Sequence, residues 1–114
     1  MTDVARGDVV YADFNPIKGH EQAGHRPALV IAGADYLTSI PNIVVVLPVT
    51  SISRGLPHHV ELRGPDLQLQ VPSLAMTEQP RTLDRSRLGR TLGKVDERTM
   101  REIDSWLRDF LDLG

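Results

Sequence analysis

"RTLGKVDERTMREIDSWLRDFLDL", Arg90 to Leu113, is where the chain changes its hydrophobic period. Up to Val95 the apolar residues come in short runs broken by Gly, Pro and polar residues. Beyond Asp96, the residues Met100, Ile103, Trp106, Leu107, Phe110 and Leu111 recur at three and four positions, the stripe of an amphipathic helix. Asp96 fits the N-cap and Glu97 falls in the first turn, where negative charge is favourable. Val95 and Met100 occupy the two positions of a hydrophobic staple. The stripe therefore reads as a face packed on a core. Many short strands and one late helix specify a mainly β fold, a small antiparallel barrel with a helix against it.

Working back toward the N-terminus, five or more strands precede the helix. "DVVYADF" (Asp8 to Phe14) alternates with period two and ends at Asn15-Pro16. Lys18 to His25 has two Gly and no period, so it reads as a loop. Pro27 cannot donate to a ladder and is expected at a strand start, followed by the buried run "ALVIA" (Ala28 to Ala32). Gly33 to Asn42 reads as a connection. "IVVVLPVTS" (Ile43 to Ser51) is a third strand, with Pro48 marking a bulge or an edge. "HHVEL" (His58 to Leu62) and "VPSLAMTEQ" (Val71 to Gln79) are a fourth and a fifth. "RTLDRSRLGRTLGKV" holds one or two more, broken at Gly89 and Gly93.

With 114 residues the chain has the size of one domain, 1–114, and no repeat or linker divides it. It has no Cys, which excludes disulfides and thiolate metal sites. Its longest apolar run, "IVVVL", is too short to span a bilayer, and the N-terminus carries no hydrophobic signal region. The cytoplasm is the expected location, with no membrane partner. The net charge of −2 gives no overall attraction to nucleic acid. Arg81, Arg85, Arg87, Arg90 and Lys94 nevertheless form a local basic run, read from charge alone as a solvated face offset by the acidic helix after it.

Several familiar patterns fail on physical grounds. Gly19 and Gly24 have phosphate-loop spacing, but His25-Arg26 replaces the Lys-Ser/Thr pair and a strand follows instead of a helix. His20-Glu21 with His25 lacks the spacing and the helix of a zinc protease. His58 and His59 are expected on opposite faces of a strand, where they cannot share a metal. What remains is phosphate chemistry without a metal. Arg26 offers a permanent charge and a planar fork, Glu21 is a candidate base, and Thr50 and Ser51 add hydroxyls at a strand end. Taken alone, Glu21 and Arg26 are equally well a surface ion pair of little energetic weight.

The ordered set of motifs resembles the MazF/PemK toxins, the endoribonucleases of bacterial toxin–antitoxin pairs. The matching stretches are "RGDVVYADFNP" (Arg6 to Pro16), "KGHEQAGHRPALVI" (Lys18 to Ile31), "VVVLPVTS" (Val44 to Ser51), "LPHHVEL" (Leu56 to Leu62) and "MTEQPRTLDRSRL" (Met76 to Leu88). The resemblance implies an SH3-like barrel of the MazF/PemK/CcdB type, working as a homodimer. It places catalysis at Arg26, Thr50 and Glu21, with RNA contact at Lys18, His25, Ser51, Leu56, Pro57, Gln79 and Arg81. The implied reaction is cleavage of single-stranded RNA by attack of the ribose 2′-OH on the adjacent phosphate, with no metal and no cofactor. Arg26 would stabilise the phosphorane, Thr50 would bond the scissile phosphate, and Glu21 would be the base. An ordinary Glu pKa of about 4.3 makes Glu21 a weak base unless its surroundings raise it. His25 has a better-matched pKa but should face away from Arg26 along an extended strand. A cognate MazE-like antitoxin is the implied protein partner. Two departures stand out: Leu37 follows Tyr36 where many members have Asn, and the chain is slightly acidic where some relatives are basic. The rival reading is a barrel of the same type that binds a protein such as DNA gyrase and cuts no RNA.

Overall fold

A computed structural model describes residues 3–15 and 24–114. Among these residues seven strands and two helices run in the order β1 (Asp8–Asp13), β2 (His25–Val30), α1 (Ala34–Ser39), β3 (Ile43–Thr50), β4 (His59–Glu61), β5 (Leu74–Met76), β6 (Arg81–Asp84), β7 (Leu88–Lys94) and α2 (Glu97–Leu111). The strands form one antiparallel sheet in the order β4-β5-β3-β2-β1-β7, with β6 pairing to β3 off that path. The expected mainly antiparallel fold with a C-terminal helix is what the chain forms.

The central strands are apolar on both faces because both faces are covered. Val9, Leu29, Leu47 and Val49 join Val60, Leu92, Val95 and Ile103 in one core. Val10, Ala28, Val30, Val44 and Val46 join Leu37 and Leu83 in a second core on the other side. Adjacent residues of one strand thus serve different cores, which is why "ALV" and "IVVVL" do not alternate in the sequence. Burial of each such Leu or Val side chain contributes about 1.5–3 kcal/mol of hydrophobic stabilisation.

The helix begins where its cap requires. The Asp96 carboxylate accepts from the Thr99 amide at 2.8 Å. Met100, Trp106 and Leu107 pack on the first core around the fully buried Ile103, whereas Leu111 is exposed and Phe110, also exposed, turns one side toward His58 and Trp106. At the other end, Asp112 adopts the left-handed conformation that closes the helix.

Four sequence expectations change. Pro27 lies inside β2, two residues after its start. The β2–β3 ladder opens only at Ala28, so at Pro27 that side of the strand is still an edge and a missing N–H is tolerated. Gly33 to Asn42 contains the short helix α1, which inserts Leu37 into the second core. The last strands are separated by a 3₁₀ turn at Arg85–Arg87, where Asp84 caps the Ser86 amide, and not at Gly89 or Gly93. Both glycines lie within β7, and Gly93 sits at a register shift against β1. The fourth and fifth strands are shorter than their apolar runs suggest, three residues each. Pro48 does fall at an interruption, between the β6 ladder ending at Val46 and the β5 ladder starting at Val49.

Candidate active site

Arg26 and Thr50 stand at the ends of neighbouring strands. The β2–β3 ladder pairs Ala28 with Pro48. Two residues further along each strand bring Arg26 opposite Thr50, beyond the last rung, where the strands no longer pair. The space there is a cavity of about 430 Å³ lined by Arg26, Thr50, Ser51, Tyr11, Gln68 and Gln70, with Val49, Leu69 and Val71 among its apolar residues. Its size is typical of a small-molecule or single-nucleotide site. Arg26 is exposed and Thr50 half-buried, so both reach solvent from a rigid sheet. The Thr50 hydroxyl accepts from the Ile52 amide at 3.1 Å, which turns the chain after β3 and leaves the hydroxyl proton free to donate. Among the described residues the lining holds no carboxylate and no imidazole. The site's permanent charge is therefore the Arg26 guanidinium, suited to an anion.

The other sequence candidates divide into groups. His25 is exposed at the start of β2, paired to Asp13, and does not line the cavity. Arg81 lies 5.0 Å over the Phe14 ring in a separate depression with Asn15 and Arg87. Leu56 and Pro57, exposed before β4, share one end of the β4–β5 pair with exposed Gln79, just after β5. Lys18 and Glu21 lie outside the described residues. The basic run does not behave as one solvated face. Arg85 donates to the carbonyls of Leu37, Ile40 and Ile43, and Arg87 to those of Asp13 and Asn15. Lys94 pairs with Asp8 at 3.0 Å.

Sequence reasoning missed Tyr11, Gln68, Gln70 and Ser73. Tyr11 was legible, because it is the outward residue of an alternating strand. Arg90 lies 5.5 Å over its ring. Gln68 and Gln70 alternate with Leu67 and Leu69, which pack on the first core. That alternation spans only four residues beside Gly64-Pro65, too few to read as an element in the sequence.

His58 and His59 do not point to opposite faces. His58 lies in the turn before β4, so strand alternation does not apply to it. Both rings approach Glu78, His59 Nε2 at 3.1 Å and His58 Nε2 at 3.6 Å, with ring centroids 5.0 Å apart. Burial acts to raise the Glu78 carboxyl, but hydrogen bonds from His59, the backbone and Gln79 outweigh it. The group lies below the ordinary carboxylate value.

A small antiparallel β fold closed by a C-terminal helix is that of MazF-type toxins. The chain belongs to the family of PemK-like, MazF-like toxins of type II toxin–antitoxin systems, whose model matches residues 5–111. It is 35% identical over 112 residues to the endoribonuclease MazF of Staphylococcus epidermidis, covering 97% of this chain and 93% of that protein. It is similar to the crystal structure of MazF from Deinococcus radiodurans, with TM-score 0.80, 32% identity and coverage of 99% and 100% of the two chains. A MazE–MazF crystal structure from the same organism matches with TM-score 0.82 and 29% identity, covering both chains completely.

Proposed function

We propose that this chain is an endoribonuclease toxin that cleaves single-stranded RNA at specific sequences without a metal ion. The observation that carries the reading is the meeting of Arg26 and Thr50 in one cavity on a sheet that fixes both. The family membership and the naming of the staphylococcal relative as an endoribonuclease supply the reaction class.

In the proposed reaction the ribose 2′-OH attacks the adjacent phosphorus. The bond to the 5′ oxygen of the next nucleotide breaks, leaving a 2′,3′-cyclic phosphate (or a 3′-phosphate after hydrolysis) and a 5′-OH. Arg26 neutralises the charge that develops on the phosphorane oxygens, an electrostatic role fitted to its fixed charge and fork. Thr50 donates to a non-bridging oxygen. The family resemblance alone assigns the 2′-OH proton to Glu21, which lies outside the described residues, and the departing 5′ oxygen takes its proton from water. DNA lacks the attacking hydroxyl and is not a substrate. Unpaired bases expose their edges, so single-stranded RNA is the form that can be read. Gln79, Arg81, Ser51, Lys18, His25 and the Leu56–Pro57 corner are the proposed RNA contacts, distributed around the cleft of a homodimer. Translation and growth stop through RNA loss, in the cytoplasm, and a MazE-like antitoxin neutralises the protein. Each subunit is the single domain 1–114.

The experiment is incubation of purified protein with a long RNA in EDTA, followed by mapping of the ends. Discrete cuts with 5′-OH termini are expected. Strict dependence on an added metal, or binding of a protein target with no cleavage, would overturn the reading.

A further inference from the structure

We propose that His58, His59 and Glu78 form a binding site for a borderline divalent transition cation of the Zn²⁺, Ni²⁺ or Co²⁺ class. The three side chains each offer one ligand atom, all within 4.8 Å of one another. Two imidazoles and a carboxylate are a donor set these ions accept. Ligand bonds of about 2.0–2.1 Å place two ligands of a tetrahedral ion roughly 3.3 Å apart. His59 Nε2 lies 3.1 Å from one Glu78 oxygen and His58 Nε2 3.6 Å from the other, near that value, and small side-chain rotations within the 4.8 Å cluster bring the donors onto one ion. The remaining adjustment falls on His58, which sits on a turn and is free of the strand ladder.

The charge pattern also favours a cation. Among the described residues no Arg or Lys pairs with Glu78, whose basic partners are the two imidazoles. One carboxylate oxygen faces His59 and the other faces His58. The side chains of His59, His58 and Glu78 are 3%, 23% and 34% exposed, so the site has a closed back and an open front where water completes the coordination. The supports are fixed: Thr77 Oγ1 donates to the His58 carbonyl at 2.7 Å, and the His59 amide donates to Leu56. His59 Nδ1 is buried without a hydrogen-bond partner. When Nε2 binds an ion, the ring proton moves to this unpartnered atom at a cost, so binding is weaker and more reversible than at a permanent structural centre.

The chain carries its own reporter. Trp106, its single tryptophan, has its ring centroid 6.0 Å from that of His58. Untagged protein is titrated with Ni²⁺ or Co²⁺ while Trp106 fluorescence is followed, and Zn²⁺ is added as a competitor. Saturable quenching that Zn²⁺ reverses is expected. His58→Ala and Glu78→Gln should each weaken it at least tenfold with unchanged circular dichroism; the second variant keeps size and removes only charge. Replacing the other two histidines, His20→Ala with His25→Ala, should leave it intact. Linear, non-saturating quenching, or quenching equal in wild type and in the two site variants, would overturn the site. So would loss of quenching in the His20/His25 pair alone.

Discussion

Arg26 stands opposite Thr50, two residues past the Ala28–Pro48 rung, where β2 and β3 part and a cavity opens between them. The guanidinium and the hydroxyl are held by the same pair of strands, so their separation is set by the sheet and not by a loop. Such preorganisation is what charge stabilisation in a transition state demands. Both side chains lie outside the two cores. Arg26→Ala and Thr50→Ala should each lower RNA cleavage by about 10²–10³, as removal of one transition-state donor does. Circular dichroism and melting temperature should stay near wild type. Full activity of Arg26→Ala would remove the central assignment.

Gly93 should resist any side chain. Its φ is +118°, and an added Cβ would stand 2.6 Å from the Asp66 carbonyl oxygen and 3.1 Å from Leu67 Cα. Those are backbone atoms of the segment that presents Gln68 to the cleft, and Gln68 is itself bonded through its amide to the Leu92 carbonyl. Gly93→Ala is expected to destabilise the fold by about 1–3 kcal/mol, through strain and displacement together. Denaturant unfolding measures this. An unchanged midpoint would show that the segment yields freely.

The cap of α2 makes part of the stability acid-sensitive. Hydrogen bonding from Thr99 holds the Asp96 carboxyl below its ordinary value. A folded-state pKa below the unfolded one gives stabilisation that is full above the unfolded value and lost as pH falls through the folded one. Thermal melts from neutral pH to below the ordinary carboxylate range should show this loss, and Asp96→Ala should flatten its share of the slope. Equal slopes in both proteins would show that the cap carries no linkage.

Ile103 is the fully buried residue by which the helix enters the first core. Ile103→Ala should cost about 2–5 kcal/mol, whereas Leu111→Ala, at an exposed position, should cost little. Urea midpoints separate them. If the two costs were alike, the helix would be docked otherwise than described.

The sequence revealed those parts of the fold where one local rule acts alone. The strand periods of β1 and β3, the C-terminal helix with its Asp96 cap and the break at Pro48 are local, and they stand close to where they were read. α1 was not legible because its six residues bury only Leu37, too short a run to show a period. The split between β6 and β7 follows a side-chain cap at Asp84, which outweighs the glycines that seemed the stronger signal. At the site, Arg26 and Thr50 were found by motif, and their meeting is a matter of register. Gln68 and Gln70 needed the third dimension, because the glycine contact that places them comes from another strand. His58 was misread because a one-residue shift of a strand start changes which rule governs a side chain.

Arg87 fastens the end of β1 from outside that strand. Its guanidinium bonds the carbonyls of Asp13 and Asn15, and the Phe14 amide bonds the Gly24 carbonyl at 3.0 Å. These contacts tie off the chain on either side of residues 16–23 before that stretch begins. Arg87, in the turn after β6, is therefore a clasp: it fastens the end of β1 from a distant part of the chain, and the start of β2, which carries Arg26, is fastened to that same end through Gly24.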